Sequence, residues 1–390
     1  MPGFELIGTE EKEELLKIFD ESNGVMFAHG FDALRKGHFR VREFEGQFAQ
    51  KMHGKYAQAV SSGTTALVAA MKALGVKAGD EVITQSFTFV ATVEAILFLG
   101  ATPILTEIDD TYNMDPDDLK SKINKRTKLI VPVHMAGVPA RMDEIMSIAQ
   151  QHNLYVLEDN AQGIGASYKG KPLGSIGDIG TFSLDFGKTI TTGEGGIILT
   201  NNQELYQFVR EFHDHGHEYN PSVGRADDTR KTWGLNFRMS ELNAAVGIAQ
   251  LRKVDFIVSQ SQKNKNIIQN NLSDIPGISF RTVPDGAIES GDALYFSFDN
   301  KERVNKVLIK LKEMGIGTKN IPDALKWHFA SEWEHIFNDH PTYKETYKNA
   351  WPKSKDLLSR TIALPVMVKW TEQQLNDFIS KVKTAILSAT

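Results

Sequence analysis

The chain has 390 residues, enough for two domains or for one large domain with a smaller appendage. Its 41% hydrophobic and 24% charged residues fit a soluble globular protein, and a formal net charge of −5 argues against a general nucleic-acid binder while leaving room for a local basic pocket. Cysteine is absent, which excludes disulfides, cysteine-held zinc, iron–sulfur clusters and a catalytic thiol.

The opening stretch, MPGFELIGTEEKEELLKIF, is acidic and helix-like and lacks the basic and apolar regions of a secretory leader. No apolar run approaches the roughly 20 residues of a membrane helix, so a cytoplasmic protein without membrane insertion is expected. AQAV (57–60), EVIT (81–84), PILTEI (103–108), KLIVPV (128–133) and LYVLE (154–158) predict buried strands. Between them, TTALVAAMKALG (64–75), TFVATVEAILFLG (88–100) and DEIMSIAQQHN (143–153) have helical length and apolar spacing, with Gly or Asn in the stop position. The alternation predicts an α/β fold with a mostly parallel central sheet flanked by helices.

Residues 178–200, DIGTFSLDFGKTITTGEGGIILT, break that rhythm as strand, irregular loop and strand, with no room for a crossover helix. A long helical region at about 238–272 reads as polar enough to lie across a surface, and another α/β pattern runs to the end, interrupted by the aromatic-rich stretch 323–339. The expected division is a large domain over 15–255 and a smaller C-terminal α/β domain over 256–390, with the N-terminal helix (1–14) packing near the smaller one.

Three places carry residue types suited to chemistry. Ser61-Ser62-Gly63-Thr64-Thr65 follows a strand and opens a helix, where free N–H groups, hydroxyls and a glycine could cradle a phosphate; an ordinary helix cap reads the same way. Glu158-Asp159-Asn160-Ala161-Gln162 ends the LYVLE strand, where ligands collect in parallel sheets. Its Asp159 could hold a pyridine nitrogen protonated and Gln162 could reach a ring hydroxyl, although a strand-end Asp also caps turns. Lys188 lies in a glycine-flanked stretch with apolar neighbours Phe182, Leu184, Phe186 and Ile190. Desolvation there would make its amine nucleophilic, which an ordinary surface lysine is not.

An aspartate followed about thirty residues later by a lysine within F-S-x-x-x-x-K-x-x-T-T-G-E-G-G resembles the DegT/DnrJ/StrS family of pyridoxal-phosphate (PLP) dependent sugar aminotransferases. Similar wording recurs in order at VREFEGQFAQ (41–50), AVSSGTTAL (59–67), GDEVITQSFTFVAT (79–92), EDNAQGIGA (158–166), GDIGTFS (177–183), KTITTGEGG (188–196) and GLNFRMSELNAAVG (234–247). The resemblance implies the aspartate-aminotransferase fold (fold type I), with pyridoxal 5′-phosphate bound to Lys188 as a Schiff base. It further implies that Asp159 pairs with the ring nitrogen, Gln162 contacts the ring hydroxyl and Phe89 stacks on the ring. Gly63, Thr64 and Ser183 would cradle the phosphate, and Asn236 would reach it from a neighbouring subunit, which implies a homodimer with shared active sites.

The implied partners are L-glutamate as amino donor and a keto-sugar as acceptor. The segment Asn320–Phe329, aromatic and basic, looks similar to the branch that aminates an 8-keto-3,8-dideoxy-manno-octulosonate in lipopolysaccharide biosynthesis; a nucleotide-linked 4-keto-6-deoxyhexose is the other acceptor the family suggests. A keto-sugar 3-dehydratase uses the same cofactor, but the dehydratase branches carry histidine in place of Lys188 or need cysteines for a cluster. A regulatory protein that keeps the fold without turnover would not need Lys188, Asp159 and Gln162 together.

The chain departs from the family's usual wording at His134-Met135-Ala136-Gly137 and in the longer, more basic stretch His29–Arg40. Arg225, Arg230 and Lys231 add further positive charge, and these clusters could hold an anionic acceptor or could be solvated loop charge. His213-Asp214-His215-Gly216-His217 invites a metal reading but lacks partners at ligand spacing, so no metal is expected. His215 aligns with a family element that lines the pocket.

Overall fold

A computed structural model describes residues 3–220 and 222–389, with the backbone alone at Arg225. Thirteen strands are formed among the described residues. They are β1 (Tyr56–Val60), β2 (Glu81–Gln85), β3 (Thr102–Thr106), β4 (Thr127–Val131), β5 (Tyr155–Asp159), the short pair β6 (Ser167–Tyr168) and β7 (Lys171–Pro172), β8 (Ile179–Ser183), β9 (Gly196–Thr200), β10 (Ile278–Phe280), β11 (Ala287–Ile288), β12 (Ala293–Phe298) and β13 (Thr361–Pro365). The central sheet has seven strands in the order β1-β9-β8-β5-β4-β2-β3. Neighbours pair in parallel from β8 to β3, whereas β9 runs antiparallel to both β8 and β1. β8 and β9 are joined without a helix, so the chain can only turn back on itself there.

The helices that position the site are α1 (Thr9–Ser22), α2 (Arg40–Lys51), α3 (Gly63–Ala73), α4 (Ala91–Phe98), α5 (Pro116–Lys122), α6 (Met142–His152), α7 (Gln203–Phe212), α8 (Glu241–Arg252), α9 (Val254–Leu272) and α10 (Lys301–Glu313). Both faces of the sheet are covered, and β2, β8 and β9 are buried along their whole length, as parallel sheets require. One face packs on α2 and α8 through Phe44, Phe48, Phe182 and Ile248, the other on α3 and α4 through Leu67, Met71 and Ile96. The smaller C-terminal sheet, β10-β12-β13, is antiparallel and shares a core of Phe296, Phe298, Val307 and Ile362 with α10 and the last helix, Glu372–Leu387.

Three expectations are corrected. Residues 238–272 form two helices broken at Lys253, and α8 is a buried helix rather than a surface one. Its small residues explain this: Gly247 lies so close to Phe44 that a Cβ there would sit 2.7 Å from the ring. The helix expected from residue 88 begins at Ala91, because Thr88 and Val90 donate their N–H groups at 2.9 Å to the carbonyls of His328 and Trp327. The N-terminal helix lies along α8, through Gln250 to Glu11 and Arg252 to Glu14, both at 2.8 Å. Glu5, ahead of it, reaches the C-terminal part, accepting from the N–H groups of Val368 and Lys369.

Candidate active site

The C-terminal ends of the parallel strands open on one cavity of about 300 Å³. Lys188, Gly63, Thr64, Phe89, Asp159, Gln162 and Ser183 all line it, together with Ser62, Thr92, Asp185 and His328. Seven residues singled out from the sequence are thus brought together. Asn236 is not among them: it is exposed, in the segment that bridges to Asp214.

Asp159 closes β5 and is 3% exposed. Its Oδ2 accepts from Thr92 Oγ1 at 2.7 Å and its Oδ1 from the Ala161 N–H at 3.2 Å. Burial pushes its pKa up against those hydrogen bonds and the nearby Lys188 charge. No ion pair to Asp159 forms among the described residues, so the buried carboxylate lacks a cationic partner, a deficit worth several kcal/mol. Gln162 is fixed the other way round: its Oε1 accepts from the Ala136 N–H at 2.9 Å, which leaves Nε2 to donate into the cavity. That contact belongs to the His134–Gly137 stretch, whose departure from the family wording therefore touches the cofactor side as well as the wall.

At the end of β1, Ser62 caps α3 by accepting from the Thr65 N–H at 3.1 Å. The N–H groups of Gly63 and Thr64 in the same first turn point to no carbonyl of the helix and face the cavity with the Ser183 hydroxyl nearby. A Cβ on Gly63 would lie 2.8 Å from Ser183 Cβ, so only glycine lets β8 approach this turn. Lys188 sits in the loop between β8 and β9. Desolvation pushes its ammonium down, while Asp185 and Asp159 act in the opposite direction.

The opposite wall is Phe89 with His328, ring centroids 5.4 Å apart, and Trp327 stacked beyond at 6.3 Å. Phe89 is 40% exposed in the approach to α4 and is not a core aromatic on a helix. His328 is a site residue that sequence reasoning placed only within a segment. Its Nδ1 faces the Ala324 carbonyl at 2.9 Å, and burial pushes it down to about 4, so the ring is neutral with Nε2 left as an acceptor. Thr92 was missed altogether, since nothing local marks a helical threonine as the partner of a distant aspartate.

The basic clusters fare differently. Arg35 is buried against the Phe27 carbonyl and Glu241, Arg40 pairs with Glu21 and Glu43, and His29 pairs with Asp214 at 2.9 Å. These groups serve the fold and are not free for an anion. The Arg225 side chain lies outside the described residues. His215 lines a separate depression with Asp228 and Arg230, not the Lys188 cavity of its own chain. Asp214 is engaged by His29, Tyr219 and Arg238, and among the described residues no cluster of three or more acidic or histidine side chains is placed to hold a metal.

An α/β sheet that gathers a desolvated lysine, an unpaired buried carboxylate, an amide donor and a helix N-terminus around one cavity defines an enzyme built for a phosphorylated pyridine cofactor. Relatives agree. The DegT/DnrJ/EryC1/StrS aminotransferase family model matches residues 26–383. The GDP-perosamine synthase of Escherichia coli O157:H7 is 40% identical over 62% of this chain, a match that spans 65% of that relative, just under two thirds. The spore coat polysaccharide biosynthesis protein SpsC of Bacillus subtilis is 33% identical, with 98% of this chain and 96% of that one covered. An aminotransferase from Psychrobacter cryohalolentis, 28% identical, superposes with a TM-score of 0.87 and covers 98% of both chains. The chain belongs to the DegT/DnrJ/EryC1/StrS aminotransferase family, and it is a PLP-dependent sugar aminotransferase of fold type I.

Proposed function

We propose that the protein moves an amino group from L-glutamate to a keto-sugar, with Lys188 as the covalent anchor of the cofactor and as the group that carries the proton between substrate and cofactor carbons. The observation that carries this reading is the single cavity shared by Lys188, the unpaired Asp159 carboxylate and the fixed Gln162 amide. When bound, pyridoxal 5′-phosphate supplies an electron sink for the carbanion that deamination requires. Asp159 would keep the ring nitrogen protonated, Gln162 Nε2 would donate to the ring hydroxyl, and Phe89 would cover a ring face. The Gly63 and Thr64 N–H groups and the Ser183 hydroxyl would hold the phosphate. Desolvated and without an ion pair among the described residues, Lys188 gives up its proton more readily than a surface lysine, which suits it to hold and release one at Nζ. Asn236, turned away from its own cavity, is assigned to the partner's site, and the active form is a homodimer.

For the acceptor we favour an 8-keto-3,8-dideoxy-manno-octulosonate, with a place in lipopolysaccharide biosynthesis and a cytoplasmic location; the support is the wording of Asn320–Phe329, whose His328 lines the cavity. The names of relatives favour a second reading, a nucleotide-linked 4-keto-6-deoxyhexose. Lys188 itself speaks against dehydration. Incubating the purified holoenzyme and L-glutamate with each keto-sugar, followed by mass spectrometry, tests the assignment. An amine formed only from the octulosonate supports the first reading, one formed only from the nucleotide sugar supports the second, and no amine from either overturns both.

A further inference from the structure

The loop that carries Lys188 is rich in glycine, with Gly187, Gly193, Gly195 and Gly196 close to the lysine. Most of its internal hydrogen bonds lie away from the lysine, where the Thr192 N–H and Thr191 Oγ1 donate to the Leu184 carbonyl and the Gly193 N–H donates to Thr191 Oγ1; around Lys188 they are few. The Lys188 N–H reaches the Asp185 carbonyl at 3.0 Å and the Gly187 N–H reaches Asp185 Oδ1 at 2.9 Å. A loop so built does not by itself fix where a lysine points. From outside, Asn243 Nδ2 donates to the Thr192 and Glu194 carbonyls at 2.8 and 3.0 Å, and a single piece of chain holds the lysine's own side of the loop at two points.

The first point is direct. The Gly3 N–H donates to the Lys188 carbonyl at 2.9 Å, and Gly3 is packed so tightly that a Cβ there would lie 2.8 Å from that carbonyl oxygen and 2.9 Å from Ile190 Cα. Phe4 continues the contact by stacking on Phe186, centroids 5.4 Å apart. The second point is a relay. The Thr191 N–H donates to Gln250 Oε1 at 3.3 Å, and Gln250 Nε2 donates to Glu11 Oε1 at 2.8 Å. Glu11 is in turn held by Lys253 Nζ at 2.6 Å and, through Oε2, by the Gly8 N–H at 2.8 Å. Thr191, Gln250 and Glu11 are all buried, so each of these bonds joins polar groups that water cannot reach and that would otherwise be left unsatisfied. Glu5, between the two points, anchors the segment to Val368 and Lys369.

We propose that the segment Gly3–Glu11 is a positioning brace for the cofactor-bearing loop, holding the Lys188 backbone from behind through Gly3 and through the Glu11–Gln250–Thr191 relay. The proposal rests on Lys188 being the cofactor lysine only for its catalytic consequence; the brace itself is a property of the cofactor-free chain. Its test uses three full-length variants. Gly3→Ala disturbs the first point, Gln250→Met cuts the relay, and Glu5→Gln alters the anchor without touching the loop.

In the cofactor-free protein, hydrogen exchange of the amides from 184 to 195 should accelerate on the order of tenfold in the first two variants, with the central sheet unchanged. In the holoenzymes, the pH titration of the visible absorption, which reports the proton at Lys188 Nζ, should move, and the single-turnover rate with L-glutamate should fall roughly tenfold to a hundredfold at unchanged glutamate affinity. Glu5→Gln should leave the titration as in the wild type. Unchanged loop exchange in both Gly3→Ala and Gln250→Met would overturn the brace, whatever the cofactor does. Accelerated exchange with an unmoved titration would overturn its role in positioning Lys188. A wild type that does not react with glutamate is a failure of the aminotransfer reading alone, and the exchange result still decides the brace.

Discussion

On one side of the cavity every residue leaves the end of a strand or opens a helix: Asp159 ends β5, Ser183 ends β8, and Gly63 and Thr64 begin α3. On the other side, Phe89 and His328 come from distant parts of the chain and meet because residues 86–90 pair with 327–330. The first side is local geometry, in which the sheet aims its strand ends at one place. The second is long-range pairing, backed by Phe87, Phe329, Trp333 and Phe337, all buried. The first wall should therefore govern the chemistry common to the family, and the second the choice of acceptor.

The sharpest way to break this comparison is on the first wall. Lys188→Ala should lower the single-turnover rate with L-glutamate by at least about 10²–10⁴-fold, the range for a lost proton-transfer group. Stopped-flow absorbance reads it directly. Asp159→Asn should cost on the order of 10²–10³-fold in the same experiment, as expected when one partner of a buried charge pair loses its counterpart at roughly 3–5 kcal/mol. The fold should survive, because the amide oxygen can still accept from the Ala161 N–H while the amide nitrogen donates to Thr92 Oγ1 in place of the bond it replaces.

The second wall should respond differently. Phe329→Ala should destabilise the protein by about 3–5 kcal/mol in thermal or urea unfolding, since it empties the aromatic cluster that holds the pairing. His328→Gln should raise the acceptor KM by roughly two- to tenfold, the value of one hydrogen bond, with the glutamate half-reaction close to that of the wild type. A fall in the glutamate step as large as that in KM would erase the distinction between the walls.

The smallest effect concerns pH. His328 is pushed from 6.5 to about 4 by burial, so the unfolded chain binds a proton that the folded one refuses. Its contribution to stability is present above 6.5 and is lost as pH falls through about 4, and His213, also pushed down to about 4, adds in the same direction. Stability should rise with pH across that window and level off above it. His328→Gln should flatten part of the slope.

Much of the first wall was legible because it is made of short signals. A glycine and hydroxyls after a strand, a carboxylate and amide at a strand end, and a lysine in a glycine-rich turn all keep their meaning within a few residues. The second wall was legible only as Phe89 and the segment Asn320–Phe329 taken separately, because helix spacing over 88–100 says nothing of the carbonyls of Trp327 and His328 that claim the N–H groups of Val90 and Thr88. The basic stretch 29–40 stayed open between an anion site and solvated charge for a related reason. Charge is visible in a sequence, but the burial of Arg35 and the pairing of Arg40 with Glu21 and Glu43 are not. Polarity likewise hid α8, whose alanines and Gly247 decide its place in the core.

Shared sites can be tested by mixing. Lys188→Ala and Asn236→Ala chains, each inactive alone, should regain about a quarter of wild-type activity when unfolded and refolded together, because half the dimers would hold one intact site. Recovery at the level of the separate variants would place Asn236 outside the partner's site.

The central claim, that Lys188 carries the cofactor and surrenders it to the amino donor, is tested most directly by borohydride reduction followed by peptide mass mapping. The resting holoenzyme should carry the reduced cofactor on Lys188, and prior incubation with L-glutamate in the absence of acceptor should remove that label. A label on another lysine such as Lys319, or one on Lys188 that glutamate leaves in place, would contradict the account.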